Sequence, residues 1–389
     1  MRFGSTRMIR CSMGAMIVCL LGIALAHGQA GQAGAAQKPL MAEDAFKNVQ
    51  VLRGIPVKEF METMGFFAAS LNMNCISCHI EESGGSWARY ADDTPLKQTA
   101  RRMVLMVNAL NKGNFAGARM VTCYTCHRGS QIPKVIPSLA AQYAVPTAED
   151  PDEVQVVPAL RQAVTPDQIL DKYIQALGGA QQLAKLTSFT AKGTYSGFDT
   201  DFMEAPVDIL AKAPGMRATI VHLDDGDSNT TYDGREAWFA APASHSPVPL
   251  LPLVGGDLEG AKVDAQLAFP GQIKQELSSW RTGFPDVTIG DRDAQVVEGT
   301  TSTGARIKLY FDKQSGLLVR QVRYTDTVIG VTPTHIEYSD YRTVAGVKLP
   351  FTWTVTWVDG QSTIKLSAVQ PNAAVDAAKF SKPAPPAPK

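Results

Sequence analysis

The sequence is short of cysteine, of net charge and of long apolar runs. Six cysteines in 389 residues are too few to staple a chain of this length, so a disulfide scaffold is excluded and their placement carries the information. Lys+Arg and Asp+Glu both number 37, and no basic cluster stands out, so no field exists to gather nucleic acid. Only one apolar run is long enough to concern a membrane. It lies at the N-terminus, which excludes a polytopic membrane protein. Aromatics make up 8% and apolar residues 45%, an ordinary globular balance that excludes a wholly disordered or collagen-like chain. The length suits two or three domains.

Residues 1–30 read as a secretory signal peptide. Arg2, Arg7 and Arg10 precede the apolar run Met13 to Ala26, and small residues follow it. The run is short for a membrane span, although an uncleaved anchor is the alternative. Cleavage would remove Cys11 and Cys19, and the remaining four cysteines fall in two identical motifs.

Cys75-Ile-Ser-Cys78-His79 and Cys123-Tyr-Thr-Cys126-His127 are both C-x-x-C-H, the attachment signature of c-type haem. Two thiols separated by two residues reach the two vinyl groups on one edge of a porphyrin. The next residue, histidine, then sits under the iron as proximal ligand. A redox dithiol or a shared Cys₄ zinc site would also use C-x-x-C pairs, but neither requires a histidine directly after each pair. Two covalently attached haem c groups are therefore expected, with iron ligands His79 and His127.

Methionine commonly fills the opposite axial position. Residues 57 to 71 read as a helix in which Phe60, Met64, Phe67 and Leu71 share one face. Residues 95 to 111 read as a second helix, opened by Thr94-Pro95, with Leu96, Met103, Met106, Val107 and Leu110 as its apolar stripe. Met64 and Met103 are the candidate sixth ligands, and Met61 and Met106, one turn away, are alternatives. Met is also a common core filler.

Residues ~45 to 135 resemble the cytochrome c subunit of photosynthetic reaction centres. The matching stretches are Pro-Val-Lys-Glu-Phe-Met-Glu-Thr-Met (56 to 64), the first haem motif, Ala-Arg-Arg-Met (100 to 103) and Val-Thr-Cys-Tyr-Thr-Cys-His-Arg-Gly (121 to 129). In that family a helical methionine is usually the sixth ligand. The resemblance implies Met64 with His79 and Met103 with His127. It departs from the family in carrying two motifs where the family has four haems. It also has no histidine in Asn114 to Arg119, where the family places a ligand to another haem. Electron transfer is implied; docking to a reaction centre is not.

The expected organisation is a multidomain chain: a mainly α dihaem domain over 41–135, a Pro-rich linker over 136–164, an α+β domain over 165–381 and a disordered tail over 382–389. Thr165-Pro166-Asp167-Gln168 resembles a capping box before a helix that Gly178-Gly179 stops. Alternating runs then follow at 206–213, 307–311, 317–324, 335–341 and 351–358, with Asp233-Gly234 as a hairpin turn. Helical stretches are expected at 257–267 and 271–279. This reads as a large antiparallel sheet with a helix across it, similar to the half-barrel of periplasmic lipoprotein carriers. His222, His245 and His335 have no partner at metal-ligand spacing and are expected to be surface or hydrogen-bonded histidines.

The expected function is that of an exported, periplasmic dihaem electron carrier, not an enzyme, which could associate with a membrane-bound electron-transfer complex. Its partners are redox proteins, and the C-terminal domain could hold a hydrophobic ligand. A dihaem peroxidase and a lipid or quinone carrier with a haem relay are the alternatives.

Overall fold

Pro56 cannot donate a backbone hydrogen bond, and it opens α1, Val57–Leu71. Asn72, in the left-handed region at φ 53, closes it. The helix is buried on two sides. Phe60, Met64 and Phe67 pack into one cluster as the spacing predicts. Thr63, Gly65, Phe66 and Ser70 are also buried. The Thr94 hydroxyl caps α2, Pro95–Asn114, by accepting from Lys97 N. Its expected apolar stripe divides. Val107 is buried together with Val104 and Asn111, whereas Leu96, Met106 and Leu110 are 37%, 45% and 39% exposed. Residues 104, 107 and 111 form an i, i+3, i+7 row beside the predicted one, and that row meets the core.

The computed structural model describes residues 38–79, 87–138, 164–284 and 286–385. Residues 1–37, 80–86, 139–163, 285 and 386–389 lie outside the described residues, and with them the expected signal peptide and most of the expected linker. Among the described residues no helix is long and apolar enough to cross a membrane.

The expected capping box is present: Thr165 and Gln168 cap each other at the start of α3, Pro166–Ala176. A 14-stranded sheet follows. Its first half is β1 Ser188–Gly197, β2 Ala205–Lys212, β3 Met216–Leu223, β4 Gly226–Tyr232, β5 Ala237–Ala240 and β6 Leu250–Leu253. Helix α4, Gly255–Leu267, then crosses the sheet. The second half is β7 Ser278–Arg281, β8 Val287–Ile289, β9 Arg292–Thr300, β10 Arg306–Asp312, β11 Leu318–Thr327, β12 Gly330–Val344, β13 Val347–Trp357 and β14 Gly360–Pro371. The order is β6-β5-β4-β3-β2-β1-β14-β13-β12-β11-β10-β9-β7, with β8 also on β9, and every pairing is antiparallel. The expected 271–279 helix is a correction. Only Ile273–Glu276 is α-helical, because Ser278 leaves it to pair with Thr300.

Alternation fixes which side faces in. Val207, Ile209 and Ala211 are buried against Leu170, Tyr173, Val263 and Phe311 in the main core. The hairpin between β11 and β12 points the other way, toward the helices. Its Ile329 joins the cluster of Ala42, Phe66, Val104 and Cys123. Arg119 donates to Gly330 O at 2.9 Å and pairs with Asp326 at 3.3 Å. Lys58 on α1 pairs with Asp257 on α4 at 3.6 Å. The mainly α region is thus followed by, and packed on, a large antiparallel sheet.

Candidate functional site

Asn74 Oδ1 accepts from Ser77 N (3.1 Å) and from Ser77 Oγ (2.8 Å), which caps the short helix Cys75–Cys78. One helical turn sets the two thiols three residues apart on one side. His79 leaves the helix in an extended conformation, φ −94 and ψ 150. Its Nδ1 lies 3.0 Å from Tyr90 O, and its ring stacks on Tyr90 with centroids 4.5 Å apart. A carbonyl only accepts, so Nδ1 carries the proton and Nε2 keeps its lone pair for a metal. Burial, with the nearby Lys97 ammonium, holds His79 below the usual imidazole range and so favours the neutral, ligating form. The Thr94 hydroxyl donates to Cys78 O at 2.7 Å and joins the first motif to the start of α2.

The second motif repeats the arrangement. Thr122 and Thr125 form a capping box on the short helix Cys123–His127. Arg128 (φ 48) and Gly129 (φ 73) turn the chain back. His127 Nδ1 then lies 3.0 Å from Ser130 O, again leaving Nε2 for a metal. Gly129 N donates to Ser70 O at 3.0 Å and ties this motif to α1. Asn111, buried on α2, donates to Val121 O at 2.8 Å. Its Oδ1 accepts from Met120 N at 3.1 Å and Val121 N at 2.9 Å.

None of the four motif cysteines is paired in a disulfide. Cys75 and Cys126 are exposed, Cys78 is half-buried and Cys123 is buried. Burial pushes the thiols of Cys75, Cys78 and Cys123 up. Among the described residues no three His, Cys, Asp or Glu side chains converge to hold a metal ion, so the two pairs do not meet as a Cys₄ centre. Met64 is half-buried at the cluster that contains Val104 and Cys123. Met61 instead lines a cavity of about 350 Å³ beside Phe239, Leu251 and Arg323 of the sheet. Met103 is half-buried, whereas Met106 is exposed.

The donor set suits haem c. Each motif offers two thiols and one imidazole nitrogen, and large apolar side chains lie open around them. Ile76 is 48% and Tyr124 53% exposed, surface that a planar apolar group would cover. Three contributors escape sequence reasoning. Tyr90 and Ser130 act on the histidines through main-chain carbonyls, which leave no side-chain signal. Asn111 does leave one, a polar residue ending the buried row of α2. His222 lies between Asp227 (2.8 Å) and Asp208 (3.3 Å), and His245 lies 3.2 Å from Asp225. His222 is a hydrogen-bonded histidine and His245 an exposed one, as expected.

Residues 25–185 match the family model of the photosynthetic reaction centre cytochrome C subunit. The photosynthetic reaction center cytochrome c subunit of Thermochromatium tepidum is 41% identical over 98 residues, 24% of this chain and 23% of that protein. That of Rubrivivax gelatinosus is 36% identical over 100 residues, 24% of this chain and 25% of that protein. The match thus spans about a quarter of the length of these relatives. Among solved structures, a LolA superfamily protein from Nitrosomonas europaea aligns over 57% of this chain and 99% of its own, at 16% identity and TM-score 0.39. An outer membrane lipoprotein-sorting protein domain from Vibrio parahaemolyticus aligns over 55% of this chain and 97% of its own, at 11% identity and TM-score 0.38. Over residues 25–185, then, the chain is similar to the photosynthetic reaction centre cytochrome c subunit family, the resemblance that its two motifs and their flanks carry.

Proposed function

We propose that this protein is an exported dihaem electron carrier that passes electrons between redox proteins in the periplasm. Cys75 and Cys78 would hold one haem c, and Cys123 and Cys126 the other, through thioethers. His79 and His127 would be the proximal ligands, with Met64 and Met103 opposite. Bound haem supplies reversible one-electron chemistry. The single observation that carries this reading is the matched pair of ring contacts: each motif histidine has Nδ1 3.0 Å from a main-chain carbonyl. Such a contact fixes the ring and its tautomer for ligation through Nε2. The relatives, named as cytochrome c subunits, support a cytochrome and give no support to a peroxidase.

In this reading residues 41–135 form the haem-bearing part and residues 165–381 the supporting sheet. The signal segment directs export, and association with a membrane-bound electron-transfer complex follows from the resemblance. The cavity lined by Met61, Phe239, Leu251 and Leu253 together with Lys58, Asp257, Asp264 and Arg323 favours a second role, retention of a small ligand with an apolar body and a charged group.

The test is a haem assay and an optical redox titration on protein matured where haem can be attached. Two haems per chain, both low-spin and indifferent to cyanide, are expected. One high-spin, cyanide-binding haem would move the reading to catalysis.

A further inference from the structure

The tip between β1 and β2 presents large apolar side chains to solvent. Phe198 is 62%, Phe202 58% and Met203 68% exposed. The loop is well tied. Phe202 N donates to Gly197 O at 2.8 Å, Met203 N to Thr200 O at 2.9 Å, and the Thr200 hydroxyl to Met203 O at 2.8 Å. Asp201 and Phe202 both have positive φ, 49 and 60. A bulky residue is rare there, and the hydrogen bonds hold it with its ring outward. Exposed carboxylates, Asp199, Asp201 and Glu204, are interleaved with the three apolar residues along the tip, and Asp199 accepts from the Tyr195 hydroxyl at 2.6 Å.

The tip shares an end of the sheet with the β13–β14 turn, on which α1 rests. Gly197 pairs with Ser362, just beyond the turn that joins β13 to β14. Asp359 in that turn stands against Gly65 of α1, the neighbour of Met64.

From this juxtaposition we infer that the Phe198–Met203 tip is a docking surface for a redox protein that carries an apolar patch ringed by cationic side chains. The apolar centre supplies contact area, and the three carboxylates steer and orient a basic rim. The inference rests on the electron-carrier reading for its purpose, but the surface can be tested apart from it.

The test uses the full haem-loaded chain and a lysine-ringed monohaem cytochrome c as probe. Electron exchange is followed by stopped flow at rising ionic strength, and binding by calorimetry. The unaltered chain should exchange fastest at low salt and slow about tenfold or more as salt screens the carboxylates. A Phe198→Ser/Phe202→Ser/Met203→Ser variant should lose about tenfold in binding while its absorption spectrum stays unchanged. An Asp199→Lys/Asp201→Lys/Glu204→Lys variant should lose or invert the salt dependence. Unaltered binding and rates in both variants would overturn the inference. So would binding to zwitterionic phosphatidylcholine vesicles, lost in the serine variant, while cytochrome binding persists. If the chain proves to carry no haem, electron exchange fails but calorimetric binding still decides the surface.

Discussion

The ring of Phe66 on α1 rests directly on the backbone of Gly330 at the start of β12, so closely that a Cβ on Gly330 would overlap the ring edge. This contact joins the helices to the sheet. Gly330→Ala should push the β11–β12 hairpin off α1 and destabilise the chain by about 1–3 kcal/mol. Urea unfolding with and without the substitution measures it, and an unchanged midpoint would show that the hairpin yields freely.

Asn111 holds the strand-like approach to the second motif with three hydrogen bonds. Asn111→Ala removes all three bonds from a buried side chain and should cost about 1–3 kcal/mol. The same variant should bind the second haem less completely than the first. Mass spectrometry of the matured chain counts the attached haems directly.

Glu62 gives the stability a pH slope. Burial, reinforced by the Asp257 carboxylate and opposed by Lys58, pushes its carboxyl up to about 8. Its Oε2 is buried without a hydrogen-bond partner. The folded state therefore keeps a proton that the unfolded chain releases near the ordinary carboxylate value. This contribution is complete below the unfolded pKa and is lost as pH rises through about 8. Chemical denaturation between those limits should show falling stability, and Glu62→Gln should flatten the curve.

Met64→His and Met103→His should each lower the potential of one haem, because imidazole favours Fe(II) less than thioether sulfur does. Each variant should move one of two titration steps. Two unmoved steps in both variants would return the ligand role to Met61 and Met106 or to neither.

Much of this was legible in the chain. Val57–Leu71 follows from Pro56 and the Phe60–Met64–Phe67 spacing, and Pro166–Ala176 from the Thr165/Gln168 box. The Val207–Ile209–Ala211 alternation announced an inward strand face. The buried row of α2 is not legible in the same way, because Val104, Val107 and Asn111 look no more apolar than the neighbouring Leu96–Met106–Leu110 row. Val104 meets Ala42, Phe66 and Ile329, and Asn111 meets the approach to the second motif, contacts that only the tertiary structure supplies. Main-chain partners such as Tyr90 O and Ser130 O are set by loop geometry, which residue type does not encode.

The sheet is joined at its middle by β1 and β14, strands from opposite ends of the sheet-forming sequence. Such pairing is long-range and slow to form. Cys75, Cys78, Cys123 and Cys126 all precede it in order of synthesis, and the hairpin and turn against which α1 rests belong to the last third of the chain. The motif segments are therefore made before their supporting surface exists, so closure of the sheet is also the step that completes the bed of α1.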